Sequence, residues 1–412
     1  VVVMKKVEQI LSFLDKILGN AKRVFLQTIH HRIEIEGFDG WHLRTAKALR
    51  RYAGIESILI NPGSFKEPAL RTIEGFPVIF VPYVDLNKLP LHRWGNVSPS
   101  WTGLVKEILS WLSEAGFSPS LFVHAPRAFN SLLLLLGLGD PGIPVLLQHH
   151  GEKNYYYHFL RSSPENLNIV KTINYYIMHL LDCRIARRSR VVYSINHYDL
   201  LYYRKICGAY SRFSTMGVFL EDLKPQRSKC CDKVRRIVYV GGASRNDWKG
   251  SDILLRVYKA LGGRKSGYEL VLVGRIKDPD LYRLGKESGA ILTNFIKEHE
   301  KVMELVANSD AYLITARSDY YWGISGGVAL MEAMALNVPL ISPTLRHIPE
   351  EDRGKAGIEI PWADRTSFED LVSRVRKALG DLEGLSTRPR DVASKYFDWR
   401  VIVKGYLRDL GI

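Results

Sequence analysis

Short apolar runs that end in glycine or a polar residue, each followed by a loop and a helical stretch, recur along this chain. Arg23 to Ile29, Ile55 to Ile60, Phe76 to Val84, Leu121 to His124 and Ile143 to Gln148 read as strands. Trp41 to Tyr52, Trp101 to Leu112 and Ala128 to Leu136 read as helices between them. Strands that are apolar on both faces need a sheet covered on both sides, and the order strand, loop, helix makes that sheet mostly parallel. The expected class is therefore α/β.

The alternation occurs in two series. The first continues through a long helix from Asn168 to Arg188, a strand from Val191 to Ser194 and a helix around His197 to Tyr203. The stretch from Met216 to Cys231 then brings a glycine, a proline and several charges, which marks a boundary. Beyond it, strands are expected at Arg236 to Val240, Tyr268 to Val273, Ala311 to Ile314 and Val338 to Ser342. Helices are expected at Ser251 to Leu261, Val328 to Ala335, Phe368 to Leu379 and Trp399 to Leu410. With 412 residues the chain exceeds what usually grows as one core. We expect an N-terminal Rossmann-like domain over 1–216, a C-terminal one over 217–395, and a terminal helix over 396–412 that returns toward the first.

Lys and Arg outnumber Asp and Glu by enough to give +15, a field that attracts a nucleotide diphosphate, an anionic membrane surface or nucleic acid alike. The bases are dispersed, and no arginine-rich arm, Cys/His finger or aromatic-basic repeat favours nucleic acid. Val7, Ile10, Leu11, Phe13, Leu14, Ile17 and Leu18 form an amphipathic helical pattern, suited either to packing on the domain or to lying on a membrane surface. The opening residues lack the charged region of a signal peptide, and Leu132 to Leu136 is too short to cross a bilayer. Cys183, Cys207, Cys230 and Cys231 lack zinc-site spacing and are too few for a disulfide scaffold. Reduced thiols and a cytoplasmic setting, with the inner face of the membrane as an alternative, are the expectation.

Several residues are placed for chemistry. Glu332 lies in the apolar stretch Val328 to Leu336, where a carboxylate is costly unless it meets donors or water. Its two oxygens suit the paired hydroxyls of a ribose, and a structural partner would serve equally well. Gly323-Ile324-Ser325-Gly326-Gly327 precedes that helix. It is either a simple turn or a cradle in which backbone amides hold phosphate, and it lacks the lysine of a Walker loop. The segment Gly241 to Gly250, between a strand and a helix, carries Gly242, Arg245 and Lys249. Arg245 and Lys249 suit a diphosphate leaving group or an ordinary solvated surface. The segment does not complete the glycine fingerprint of a dinucleotide-binding dehydrogenase. His150 ends an apolar strand beside Gly151, where it can meet a sugar or serve the interior, and His149 competes for either role. Asp278 and Asp280 read as an exposed turn rather than a metal site, and no metal-binding residues are assigned.

Together these residues resemble the retaining glycosyltransferases of the GT-B fold, especially the large group called family 4. The resemblance rests on Met216-Gly217-Val218 with Pro225, the Arg245/Lys249 segment, Gly274, and Glu332-Ala333-Met334-Ala335 followed by Pro339. It is strongest from about 216 to 342 and extends more diffusely over nearly the whole chain. It implies two facing Rossmann-like domains and a C-terminal crossover helix. Gly40, with Trp41, is similar to the first glycine-bearing loop, and His150-Gly151 to the sugar-facing histidine region. Arg245 and Lys249 match the basic pair at the diphosphate, and Glu332 the downstream acid that addresses the ribose. The upstream acid of the usual pair falls at Ile324, with Asp319 the nearest substitute, so the sugar contact departs from the pattern.

The activity implied is metal-independent, retaining transfer from a nucleotide sugar, UDP- or GDP-linked, to an acceptor hydroxyl. No cofactor is obligatory. The acceptor would be a glycan, a lipid-linked sugar or a small molecule, and an anionic membrane surface is a further partner. The alternative is a catalytically inactive nucleotide-sugar-binding or regulatory protein.

Overall fold

The computed structural model describes residues 2–19, 21–28, 40–63, 67–82, 84–85, 96–97, 101–125, 129–150, 169–225, 234–245, 247, 249–317, 327–382 and 388–412. The chain divides into two compact units: unit 1 comprises Val1–Thr215 with Val403–Ile412, and unit 2 comprises Met216–Ile402.

Unit 1 is built on strands β1 (Arg23–Thr28), β2 (Glu56–Gly63), β3 (Ala69–Ile73) and β4 (Phe76–Pro82). β5 (Val84–Asp85) and β6 (Asn96–Val97) form a small antiparallel pair apart from the main sheet. β7 (Ser118–His124), β8 (Val145–Gln148), β9 (Val191–Ser194) and β10 (Ser211–Phe213) complete it. The sheet order is β10-β9-β8-β7-β1-β2-β4-β3, parallel except for the β3–β4 edge. The apolar runs are buried as a two-faced sheet requires: Val24, Phe25, Leu26, Leu121, Phe122 and Val123 are all closed to solvent. Where each strand runs out, polarity begins. Gln27, Thr28, Asn61, His124, Gln148 and Ser194, in the C-terminal halves of their strands, are buried polar residues.

Unit 2 carries β11 (Arg235–Val240), β12 (Tyr268–Val273), β13 (Ile291–Leu292), β14 (Ala311–Leu313), β15 (Leu340–Ile341) and β16 (Gly357–Ile358). They form an all-parallel sheet in the order β13-β12-β11-β14-β15-β16. In each sheet the order reverses beside the first strand of its series, between β1 and β7 in unit 1 and between β11 and β14 in unit 2. Loops leaving neighbouring strands at such a reversal diverge to opposite faces and open a crevice at the carboxyl ends, the usual ligand position in this kind of sheet.

The expected strands and helices of both series are present, with boundaries moved by a few residues. The Pro279–Glu287, His299–Ala307, Glu350–Ala356 and Pro389–Tyr396 helices were not anticipated; each has nine residues or fewer, too short for a helical repeat to establish itself along the sequence. The helix begun at His197 ends at Leu201 and continues as a π-type turn over Tyr202–Ile206.

Two expectations meet specific structure. Ile10, Leu14 and Leu18 of the Val2–Leu18 helix are buried in the core of unit 1, so its apolar stripe is a packing face. An exposed apolar stripe lies instead on the Ile169–Arg188 helix, at Ile169, Ile173, Tyr176, Ile177 and Leu180. No described helix is long and apolar enough to cross a membrane. The expectation of reduced thiols is corrected at one pair: Cys183 and Cys207 form a disulfide. Packing of the Ile169–Arg188 helix against the π-type turn brings the two together, a tertiary event that cysteine spacing does not encode. Cys230 and Cys231 lie outside the described residues.

Candidate functional site

In unit 2 the loop after β11 is fixed by its own polar groups. Thr315 donates from Oγ1 to the Gly250 carbonyl at 2.8 Å, and the Ser244 amide donates to Ser251 Oγ at 3.3 Å. Arg317, in the loop after β14, holds Asp252 through two hydrogen bonds of 3.0 and 2.7 Å and also donates to the Asp247 carbonyl. Gly250 is required here: its φ is +67°, and a Cβ would sit 2.0 Å from the Thr315 carbonyl oxygen. Gly242 is under less constraint, since a Cβ there would meet only the Arg275 carbonyl at 3.4 Å.

This frame delivers Lys249 to the start of the Val328–Ala335 helix. A Cβ built on Gly327, the N-cap residue, would lie 3.3 Å from Lys249 Nζ, so the ammonium rests against the backbone that opens the helix. No side chain caps that end. Burial pushes the Lys249 pKa down, and only the charge of Asp247 opposes the shift. A desolvated ammonium beside the positive pole of a helix is unfavourable by itself and favourable once an anion arrives.

Glu332 lies on the same helix and is buried. His299 Nε2 stands 3.0 Å from its Oε1, with the imidazole half exposed. The costly carboxylate thus has a structural partner, and that partner can be displaced toward solvent. Sequence reasoning missed His299, which opens a short helix at a position that interrupts no apolar run.

Arg245 is placed differently from its expected partner. It is exposed and ion-paired to Asp278 at 2.7 Å and to Asp280. Asp278, read from sequence as part of an exposed turn, caps the Pro279–Glu287 helix by accepting from the amides of Asp280 and Leu281. The basic pair is therefore unequal: Lys249 faces a helix terminus, whereas Arg245 is engaged by two acids. Ser325, Gly326, Ile324 and Asp319 lie outside the described residues.

In unit 1 the structure separates the two adjacent histidines. His149 is buried and bonded through Nε2 to Tyr203 Oη at 2.5 Å, and that hydroxyl donates to Asp182 at 2.8 Å, so His149 serves the interior. His150 turns to the carboxyl end of the sheet. Its ring lies against Trp41, tilted by 30° with centroids 4.0 Å apart, and Trp41 begins the helix for which Gly40 is the N-cap residue. Gly40 has an ordinary extended φ of −73°, so the need for glycine there does not come from the backbone angle. Gly151 lies outside the described residues.

Behind His150 runs a chain of polar groups that sequence reasoning did not single out. Gln27 Nε2 donates to Ser57 Oγ at 3.0 Å, which turns Gln27 Oε1 toward His124 Nε2, also at 3.0 Å. His124 Nε2 must then carry the proton, its Nδ1 is an acceptor, and His150 Nε2, 2.9 Å away, donates to it. His124 ends an apolar strand as His150 follows one, so the same signal marks both.

Residues 234–380, under half of the chain, match the family model described as glycosyl transferases group 1, a span that includes Arg245, Lys249 and Glu332. No curated protein sequence matches the chain. Solved structures similar to it include an α,α-trehalose 6-phosphate synthase from Burkholderia multivorans, at 13% identity and TM-score 0.62, covering 95% of this chain and 98% of that one. An E. coli trehalose-6-phosphate structure bound with UDP-2-fluoro glucose matches at 11% identity and TM-score 0.60, over 94% and 98% of the two chains. WaaG, a glycosyltransferase of lipopolysaccharide biosynthesis, matches at 15% identity and TM-score 0.59, over 93% and 98%. At these identities the likeness establishes the fold, that of two-domain GT-B glycosyltransferases.

Proposed function

We propose that this chain transfers a sugar from a nucleotide-sugar donor to an acceptor hydroxyl, with retention at the anomeric carbon. The observation that carries the reading is Lys249 at the uncapped start of the Glu332 helix, inside the segment that matches the glycosyl transferase model. A diphosphate satisfies both the desolvated ammonium and the helix terminus, and a ribose bound by Glu332 would follow from the same pose.

In this reading Lys249 stabilises the departing diphosphate, and Glu332 exchanges His299 for the ribose hydroxyls. Arg245 exchanges Asp278 and Asp280 for phosphate, a small cost for an exposed guanidinium. Amides of Ser325, Gly326 and Gly327 are assigned to phosphate. In unit 1, Gly40 gives close backbone approach and His150 binds a sugar hydroxyl. His150 Nε2 is engaged with His124 Nδ1, so the sugar contact is assigned to His150 Nδ1. The bond from the anomeric carbon to the diphosphate oxygen breaks as the acceptor oxygen bonds the same face, and the acceptor proton passes to the departing phosphate. No protein carboxylate acts as nucleophile and no metal is assigned to the step.

UDP is the first base to test, on the strength of the UDP-sugar bound in the E. coli relative. A panel of UDP- and GDP-sugars with sugar, sugar-phosphate and lipid-linked acceptors, read by product mass and anomeric NMR, decides the matter. Retained configuration in a new glycoside is expected; consistent inversion overturns the mechanism. Donor binding without transfer or hydrolysis moves the assignment to a nucleotide-sugar-binding protein.

A further inference from the structure

Three imidazoles meet at the carboxyl edge of the unit 1 sheet. His42 comes from the Trp41–Ala53 helix, His124 from the end of β7 and His150 from just beyond β8. One ring nitrogen from each lies within 4.8 Å of the others. The rings are close in every pairing: centroids are 4.4 Å apart for His42 and His124, 5.2 Å for His42 and His150, and 5.0 Å for His124 and His150.

We propose that His42, His124 and His150 bind one borderline transition-metal ion of the zinc class, a site separate from the charged residues of unit 2. Imidazole nitrogens without a carboxylate among them suit zinc, cobalt, nickel or copper and do not suit magnesium or calcium, which take oxygen ligands. His42 and His124 are buried and His150 is partly so, which places the three ring nitrogens in a niche largely shielded from bulk water. Three protein nitrogens leave a fourth position for water or another oxygen ligand.

The second layer supports the assignment. A metal-bound histidine usually gives its other N–H to a fixed oxygen, which sets the tautomer and the ring plane. His124 already does so: its Nε2–H faces Gln27 Oε1, and Ser57 fixes Gln27 in turn, leaving the Nδ1 lone pair toward the cluster. Zinc–nitrogen bonds of about 2.0–2.1 Å in tetrahedral geometry place ligand nitrogens about 3.4 Å apart. The 2.9 Å contact between His124 Nδ1 and His150 Nε2 therefore opens slightly on binding. His150 moves its proton from Nε2 to Nδ1 as it does so, so the exchange is balanced without a further reactant.

The test uses the full chain without a histidine tag, stripped with chelator and titrated with Co(II). One equivalent is expected to bind with visible ligand-field absorption of a four-coordinate ion, and Zn(II) is expected to displace it. His42→Asn and His124→Asn should each abolish the absorption, whereas His197→Ala, an exposed histidine elsewhere, should retain it. Gln27→Leu keeps all three ligands and should weaken metal binding roughly 10- to 100-fold by freeing the His124 ring. Absence of the absorption and of stoichiometric Zn(II) binding in the folded natural chain overturns the proposal, whatever the variants do. Undiminished binding in both folded asparagine variants overturns it as well. The readout is the metal itself, so it stands apart from the glycosyl-transfer assay.

Discussion

The switch points of the two sheets solve the same topological problem with opposite chemistry. In unit 1 the polar chain at the carboxyl edge contains no carboxylate, lysine or arginine: Gln27, Ser57, His124 and His150 are hydrogen-bonded in series from the sheet to an aromatic contact with Trp41. In unit 2 the edge is charged, with Lys249 at a helix terminus, Glu332 on that helix, and Arg245 and Arg317 each held by acids. In unit 1 the polar groups are paired with one another along the chain from Ser57 to His150. In unit 2 burial disfavours the Lys249 ammonium beside a helix pole, and a bound anion would offset that cost. Under the proposed function, orientation of a sugar falls to unit 1 and recognition of phosphate to unit 2.

The largest effect should come from removing the Lys249 ammonium. Lys249→Ala is expected to lower the transfer rate by roughly 10²–10³-fold, the usual loss when one group stabilising developing charge is removed. An unchanged rate in folded protein breaks the contrast at its strongest point.

A smaller effect separates the units. Glu332→Gln should cost nucleoside diphosphate binding about 1.5 kcal/mol or more, the range for hydrogen bonds to a charged group, or at least roughly tenfold. His150→Ala should leave nucleoside diphosphate affinity alone while weakening the intact donor. Calorimetry with UDP and with the UDP-sugar reads both, and equal losses for the two ligands in the His150 variant would remove the division of labour.

The smallest effect is on pH. Because burial lowers the Lys249 pKa and a bound phosphate favours the ammonium, binding takes up a proton in the window between the lowered native value and the ordinary lysine value. Affinity should fall as pH rises through the lowered pKa and be flat below it with respect to this group. The ligand-free chain shows the opposite slope: the unfolded state binds more protons in that window, so stability gains from this residue as pH rises. Affinity measured as a function of pH for the natural chain and for Lys249→Arg checks the sign. A parallel decline in both would locate the titration elsewhere.

Much of the architecture was legible because parallel strands buried on both faces must be apolar runs, and helices covering them must be amphipathic. The Tyr268–Val273 strand and the Val328–Ala335 and Trp399–Leu410 helices fall where periodicity places them. Site residues were legible where a polar side chain interrupts an apolar run, as at Glu332 and His150. Partners from distant segments were not. Gln27 and His124 stand 97 positions apart and meet only because β1 and β7 are neighbours in the sheet. His299 reaches Glu332 across 33 positions, and the acids on Arg245 come from the helix after β12.

The sequence by itself determined two alternating series, the strand-end, loop and helix positions of His150, Lys249 and Glu332 respectively, and the apolar stripe of the N-terminal helix. Periodicity and local cost are properties of contiguous residues, so they can be read along the chain. Tertiary structure alone decided that the stripe is buried and that Cys183 joins Cys207. It also decided that His149 turns inward while His150 joins His42 and His124, and that Arg245 is held by acids while Lys249 meets a helix terminus. Each of these depends on which strands are neighbours and which way a loop leaves them. That is set by packing the whole sheet, and no local window of sequence contains it.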